Sequence, residues 1–162
     1  MIKTLILDFL TNRLFLAAAG SWVAAQIVKL IIQLATHGET GRLLTGGGMP
    51  SSHTATMMGL VIETALVYGT AGFEFPMALF FMVMVVYDAM NVRYVTGEQN
   101  KILNRMIKEK IEEAEKAKQK EKLEYYRGLP HMKELLGHTL PEVLVGAVIG
   151  IIVAIIVWRL IP

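Results

Sequence analysis

The stretch Leu14–Ala35, LFLAAAGSWVAAQIVKLIIQLA, decides the fold class: 22 positions carry a single charge, Lys29. At about 1.5 Å per residue, such a helix crosses a hydrocarbon core about 30 Å thick. The chain before it, Met1 to Arg13, is apolar but broken by Lys3, Asp8 and Arg13. Those charges interrupt the apolar centre a cleavable signal peptide needs, so the segment reads as an interfacial helix. After Pro50-Ser51-Ser52 a second apolar stretch runs to about Phe73, interrupted by Glu63, and Gly69 to Glu74 make a turn. Phe75 to Tyr87 is uncharged and reaches spanning length if it continues through Asp88 to about Val92. Val143 to Trp158 is also uncharged, and its Gly146 and Gly150 have the spacing that lets helix backbones approach closely. The expectation is an all-α, polytopic membrane helical bundle of about four spanning helices.

A length of 162 residues, 54% hydrophobic and 19% charged, with ten Met and two Asp, fits one membrane-embedded domain over 1–162 and excludes intrinsic disorder. With no Cys there is no disulfide framework, thiolate metal site or cysteine nucleophile. A net charge of +2 does not suit a general nucleic-acid binder. The charge is segregated instead. Eleven of the sixteen Lys and Arg fall between Arg93 and Lys133, where Leu103, Ile107, Ile111 and Ala114 keep helical spacing. Residues 94–133 therefore read as a water-facing helical insertion, its apolar seam too short for a coiled coil. The positive-inside rule places the insertion in the cytoplasm, both termini outside, and the 36–52 loop on the cytoplasmic side.

Two polar segments on that side could do chemistry. Thr45-Gly46-Gly47-Gly48-Met49-Pro50-Ser51-Ser52-His53 leads straight into an apolar helix. Its glycines allow close backbone approach, and Ser51 or Ser52 can cap a helix whose free N–H groups attract an anion such as phosphate. A flexible loop with an ordinary serine cap explains the same residues. In Leu136-Gly137-His138-Thr139-Leu140-Pro141-Glu142-Val143, Thr139 and Glu142 have capping-box spacing. Alternatively, Glu142 accepts a hydrogen bond from His138 and leaves the other ring nitrogen as nucleophile or base.

Lys29 shares a helix face with Gln26 and Gln33 and points to the bundle interior, unless it snorkels to the headgroups. Glu63 pairs with Lys29 or hydrogen-bonds within the bundle. Arg42, Asp88 and Arg93 sit near span ends, where interfacial anchoring is the default. Asp88 and Arg93 are five residues apart, a poor spacing for a pair on an α-helix. Two Asp supply too few carboxylates for an evident metal site.

Three runs in order carry a resemblance over about Gln26 to Gly150. They are Gly47-Gly48-Met49-Pro50-Ser51-Ser52-His53-Thr54-Ala55, then Tyr87-Asp88-Ala89-Met90-Asn91-Val92-Arg93 with Gly97 and Gln99, then Lys133-Glu134-Leu135-Leu136-Gly137-His138-Thr139 with Pro141, Glu142, Val143 and Gly146. Together they resemble the divergent branch of the type 2 phosphatidic acid phosphatase superfamily, also described as acid phosphatase and vanadium haloperoxidase related. The resemblance implies that His138 is the nucleophile, His53 the general acid and Glu142 the orienting carboxylate. It further implies that Lys29, Arg42 and Arg93, with Gly47, Gly48, Ser51 and Ser52, hold phosphate, with Asp88 and Lys133 behind them. The chain departs from the parent pattern in several places. Ser52 replaces a Gly, Lys29 and Arg42 are separated by twelve intervening residues instead of six, Leu43 replaces a Pro, and Met132 stands at an Arg position beside Lys133.

The implied activity is hydrolysis of a lipid phosphate or pyrophosphate through a phosphohistidine, with no cofactor or metal, on the cytoplasmic face of a multi-pass protein. The alternative is a non-catalytic membrane protein, a carrier or scaffold that binds phospholipid headgroups. The bilayer is the expected surrounding, no nucleic-acid partner is expected, and the sequence leaves homo-oligomerisation open.

Overall fold

The computed structural model describes residues 1–35 and 48–161. Its helices, in chain order, are α1 (Ile2–Leu10), α2 (Arg13–Ala35), α3 (Ser52–Tyr68), α4 (Glu74–Tyr87), a π-helical turn (Asp88–Val92), α5 (Arg93–Lys116), α6 (Lys120–Arg127) and α7 (Leu140–Leu160). Among the described residues, three helical stretches are long and apolar enough to cross a membrane: Arg13–Ala35, the continuous Glu74–Lys116 and Leu140–Leu160. The expected second span, α3, is shorter at 17 residues and is the helix on which α2, α4 and α7 all pack.

Small residues make that packing. On α2 the buried positions are Ala17, Ser21, Ala25 and Lys29, one every fourth residue. Opposite them is Gly59 of α3, where an added Cβ would lie 2.9 Å from the Ala17 carbonyl oxygen and collide with Ser21 Oγ. On α7 the buried positions are Val143, Gly146, Gly150 and Ala154. A Cβ at Gly150 would lie 2.5 Å from the Ala55 carbonyl oxygen and 2.8 Å from the Gly59 nitrogen. Backbones meet where side chains are absent, and Ile27, Ile31, Leu144, Val148 and Ile152 face outward, as expected where lipid tails are as apolar as leucine.

At the end of the bundle where α2 begins, Asn12 Oδ1 caps the helix by accepting from the Leu14 and Phe15 N–H groups at 2.9 and 3.2 Å. Next to this cap, Arg13 Nε donates to Glu63 Oε1 at 3.0 Å and its Nη2 donates to the Trp158 carbonyl at 3.2 Å. The guanidinium also lies 4.5 Å from the centre of the Trp158 ring. Glu63 thus pairs with Arg13 and not with Lys29. Lys29 is buried, but four turns further along α2, near the opposite end of the bundle.

Beyond the bundle α5 continues α4 as one helix, broken from α6 at Lys118, whose φ is 55°. Ile107 and Ile111 are half-buried and Ala114 is buried, whereas Leu103 is exposed. The reason is the chain's return path: after α6, the 129–139 segment runs back along the Asn100 and Asn104 face of α5. Asn100 Nδ2 donates to the Lys133 carbonyl at 2.7 Å, and Asn104 donates to the Met132 carbonyl at 2.9 Å and accepts from the Met132 N–H at 3.1 Å. Two asparagines thus satisfy the backbone of an extended segment that has no strand partner.

Candidate functional site

The return segment delivers His138 to the bundle. Gly137 has φ +75°, in the left-handed region that favours glycine, and a Cβ there would collide with the Tyr94 backbone. This close approach lets the His138 N–H donate to the Ala89 carbonyl in the π-helical turn at 2.9 Å. The ring is buried, 3% exposed.

Four residues on, Glu142 makes both contacts the sequence left open. Its Oε2 accepts from the Thr139 N–H at 3.2 Å, completing the capping box of α7, and lies 2.9 Å from His138 Nδ1. With Nδ1–H donated to the carboxylate, Nε2 is the nitrogen of a neutral ring that carries the free lone pair. Burial pushes the His138 pKa below its ordinary value. The Glu142 hydrogen bond and charge oppose that shift, and the positive charges of Lys29 and Arg93 add to it. The imidazole is therefore neutral near pH 7.

The start of α3 is tied to the same carboxylate residue. The Ser51 N–H donates to the Glu142 backbone carbonyl at 3.0 Å, and a Cβ on Gly146 would collide with the Ser51 carbonyl. Ser51 is the cap: its Oγ accepts from the Thr54 N–H at 3.3 Å and from the Thr54 hydroxyl at 3.0 Å. Ser52 is the first helical residue and is buried. His53 follows, its ring centre 5.9 Å from that of His138. Its Nδ1 is buried and has no hydrogen-bond partner among the described residues.

Lys29 ends the small-residue stripe of α2 and is 3% exposed, with its charge acting on Glu142. The polar face read from the sequence does turn inward, since Gln26 and Gln33 also bury their Oε1 atoms. Asp88 and Arg93 form an ion pair at 2.5 Å despite their spacing. A π-helical turn pairs residue i with i+5, so it lines up side chains that an α-helix would separate. Arg93 and Asp88 line a cavity of about 290 Å³ with His53, Phe81, Met84 and Val85. Gly48, with φ +91°, lines another of about 230 Å³ together with Thr139 and Glu142.

The structure thus brings together His53, His138, Glu142, Lys29, Ser51, Ser52, Arg93 and Asp88, with Gly48 alongside. Lys133 is exposed, and its carbonyl is held by Asn100. Arg42 and Gly47 lie outside the described residues. Among the described residues no group of three or more His, Asp or Glu side chains is placed to hold a metal ion. Sequence reading missed the Ala89 carbonyl, for which the residues give no signal. It also missed the Asn100–Asn104 clamp, whose signal was two asparagines one turn apart on a charged helix.

Comparison with known proteins gives the family. Residues 10–153 match the model of a family described as "Divergent PAP2 family". The chain is 32% identical over 162 residues to "Uncharacterized membrane protein YuiD" of Bacillus subtilis (strain 168), covering 93% of this chain and 96% of that protein. No solved structure matches. With its three apolar helices the chain is an integral membrane protein.

Proposed function

The chain belongs to the divergent PAP2 family, and from that premise we propose that it is a membrane phosphatase acting on a lipid phosphate or pyrophosphate through a phosphohistidine. The observation that carries this reading is the buried His138 ring, held through Nδ1 by Glu142 at 2.9 Å and facing a second histidine 5.9 Å away.

In the first step His138 Nε2 attacks phosphorus, the bond to the leaving oxygen breaks, and a protonated His53 gives that oxygen its proton. In the second step water attacks phosphorus, His53 takes a water proton, the N–P bond breaks, and inorganic phosphate leaves. Lys29, Arg42 and Arg93, with the backbone amides near Gly47 and Gly48, stabilise the charge on the phosphoryl oxygens. The cavity beside His53 has a polar head at Asp88 and Arg93 and an apolar wall at Phe81, Met84 and Val85, a lining suited to a phosphate that carries a hydrocarbon chain.

Purified protein assayed on phosphatidic acid and on a prenyl pyrophosphate, with chelator present, tests the reading. Replacing His138 by Ala should remove turnover, and His53→Ala should lower it by about a hundredfold or more. Equal turnover by all three proteins would refute the assignment.

We place the site on the cytoplasmic face, with 94–133 as the cytoplasmic insertion. The supporting observation is that α5, which opens the cation-rich segment, emerges from the same end of the bundle as the two histidines. In this Cys-free chain, cysteines introduced at Lys118 and Gly72 should label from opposite sides, position 118 from within. Labelling of position 118 from outside would reverse the orientation.

One observation favours the second reading, an anion-binding protein without turnover: Arg93 is already held by Asp88 at 2.5 Å. Vanadate or phosphate binding with no hydrolysis of either substrate would select it.

A further inference from the structure

We infer that the groove between α5, α6 and the return segment, away from His53 and His138, binds a phosphate-bearing ligand. Its volume, about 590 Å³, lies within the usual range of small-molecule sites. Three separate pieces of chain build it. Lys101, Arg105 and Lys108 come from α5, Arg127 from α6 and His131 from the return segment.

The carboxylate in this lining, Glu134, already accepts from Asn104 Nδ2 at 2.8 Å. Lys101 and Arg127 are engaged by Glu98 and Glu115. Among the described residues no carboxylate lies within ion-pair distance of Arg105 or Lys108. These two are three residues apart on a helix, so they share a face and direct their charges into one space. Arg105 offers a planar fork that can hold two phosphate oxygens, and Lys108 adds a point charge beside it.

Beneath this charged rim the lining is apolar: Ile107, Ile111, Tyr126, Leu129 and Pro130. A charged helix fully surrounded by water would have no such wall. The combination suits a ligand that joins phosphate to an apolar or ring-shaped part, whether a soluble phosphate compound or a lipid headgroup with the start of its chain. The site shares none of these residues with the proposed phosphatase centre and does not depend on that reading.

Isothermal titration of full-length His138→Ala protein in detergent micelles tests the inference while preventing hydrolysis of the probes. Three probes separate the sources: inorganic pyrophosphate, adenosine diphosphate and the monomeric short-chain lipid dihexanoylphosphatidylglycerol. At least one should bind, more weakly as salt is raised. Adding Arg105→Gln and Lys108→Gln should weaken that binding tenfold or more, whereas Lys116→Gln with Lys118→Gln, which removes equal charge outside the groove, should leave it unchanged. Binding of pyrophosphate or adenosine diphosphate identifies a soluble ligand, and binding of the lipid alone identifies a headgroup. Arg105 and Lys108 are exposed, so an unchanged melting temperature is expected for the double variant. No binding of any probe, or equal binding by the Arg105→Gln, Lys108→Gln protein, would overturn the inference.

Discussion

The two ends of the bundle hold similar ingredients, a carboxylate, cations and an aromatic ring, and arrange them differently. At one end Glu63 on α3, fully buried, meets Arg13 of α2 at 3.0 Å, and the guanidinium covers the Trp158 ring of α7. Opposite charges are in direct contact, so the cluster joins three helices. At the other end Glu142 holds a histidine at 2.9 Å, while Lys29 and Arg93 act on that ring through their fields. His53 lines a cavity, and the His138 ring lies 5.9 Å from the His53 ring, centre to centre. On the proposed reading, the contrast separates a carboxylate whose partner keeps a lone pair or proton to exchange from one matched by arginine, which fastens helices.

The sharpest way to break this comparison is to neutralise each carboxylate in turn. Glu142→Gln can still cap α7, so its stability loss should be on the order of 1 kcal/mol or less. Turnover should nevertheless fall by roughly a hundredfold, because an amide holds neither the tautomer nor the developing imidazolium as a carboxylate does. Glu63→Gln should show the reverse pattern: turnover per folded molecule near that of the parent, and stability lower by roughly 1–3 kcal/mol from the weakened buried contact with Arg13. Near-native turnover in Glu142→Gln would reduce that residue to a helix cap.

A smaller effect sharpens the picture through pH. The nucleophile must be neutral, and burial holds the His138 pKa below 6.5, so the acid limb of kcat/KM should lie below that value. Glu142 opposes the shift. Removing its charge should therefore move the acid limb of the residual activity to still lower pH. A limb that moved upward in Glu142→Gln would contradict the assigned hydrogen bond.

Much of the bundle could be read from hydropathy, because lipid imposes long uncharged helices, and Gly146 and Gly150 announced a close helix contact, which α7 makes with α3. The site was legible where a residue type forces a chemistry: His53 and His138, the Thr139–Glu142 spacing, and Lys29 on one face with Gln26 and Gln33. What escaped the sequence depends on backbone register. The pairing of Asp88 with Arg93 requires a π-helical turn, and an α-helical reading of residues 88–93 separates them. The partner of Glu63 was missed because Arg13 stands at the first turn of α2 and reads as a boundary charge. Leu103 kept the period of the α5 seam and is exposed, because the return segment pairs with Asn100 and Asn104 on another face. Period alone does not say which face a later segment will cover.

The central claim is that the His138 lone pair, freed by Glu142, attacks phosphorus. It is tested most directly by quenching the protein during turnover of a ³²P-labelled lipid phosphate and locating the label. The account predicts an acid-labile, alkali-stable phosphoramidate on His138, absent from the His138→Ala protein. Hydrolysis that proceeds with no label on the protein, or with the label on another residue, would contradict it.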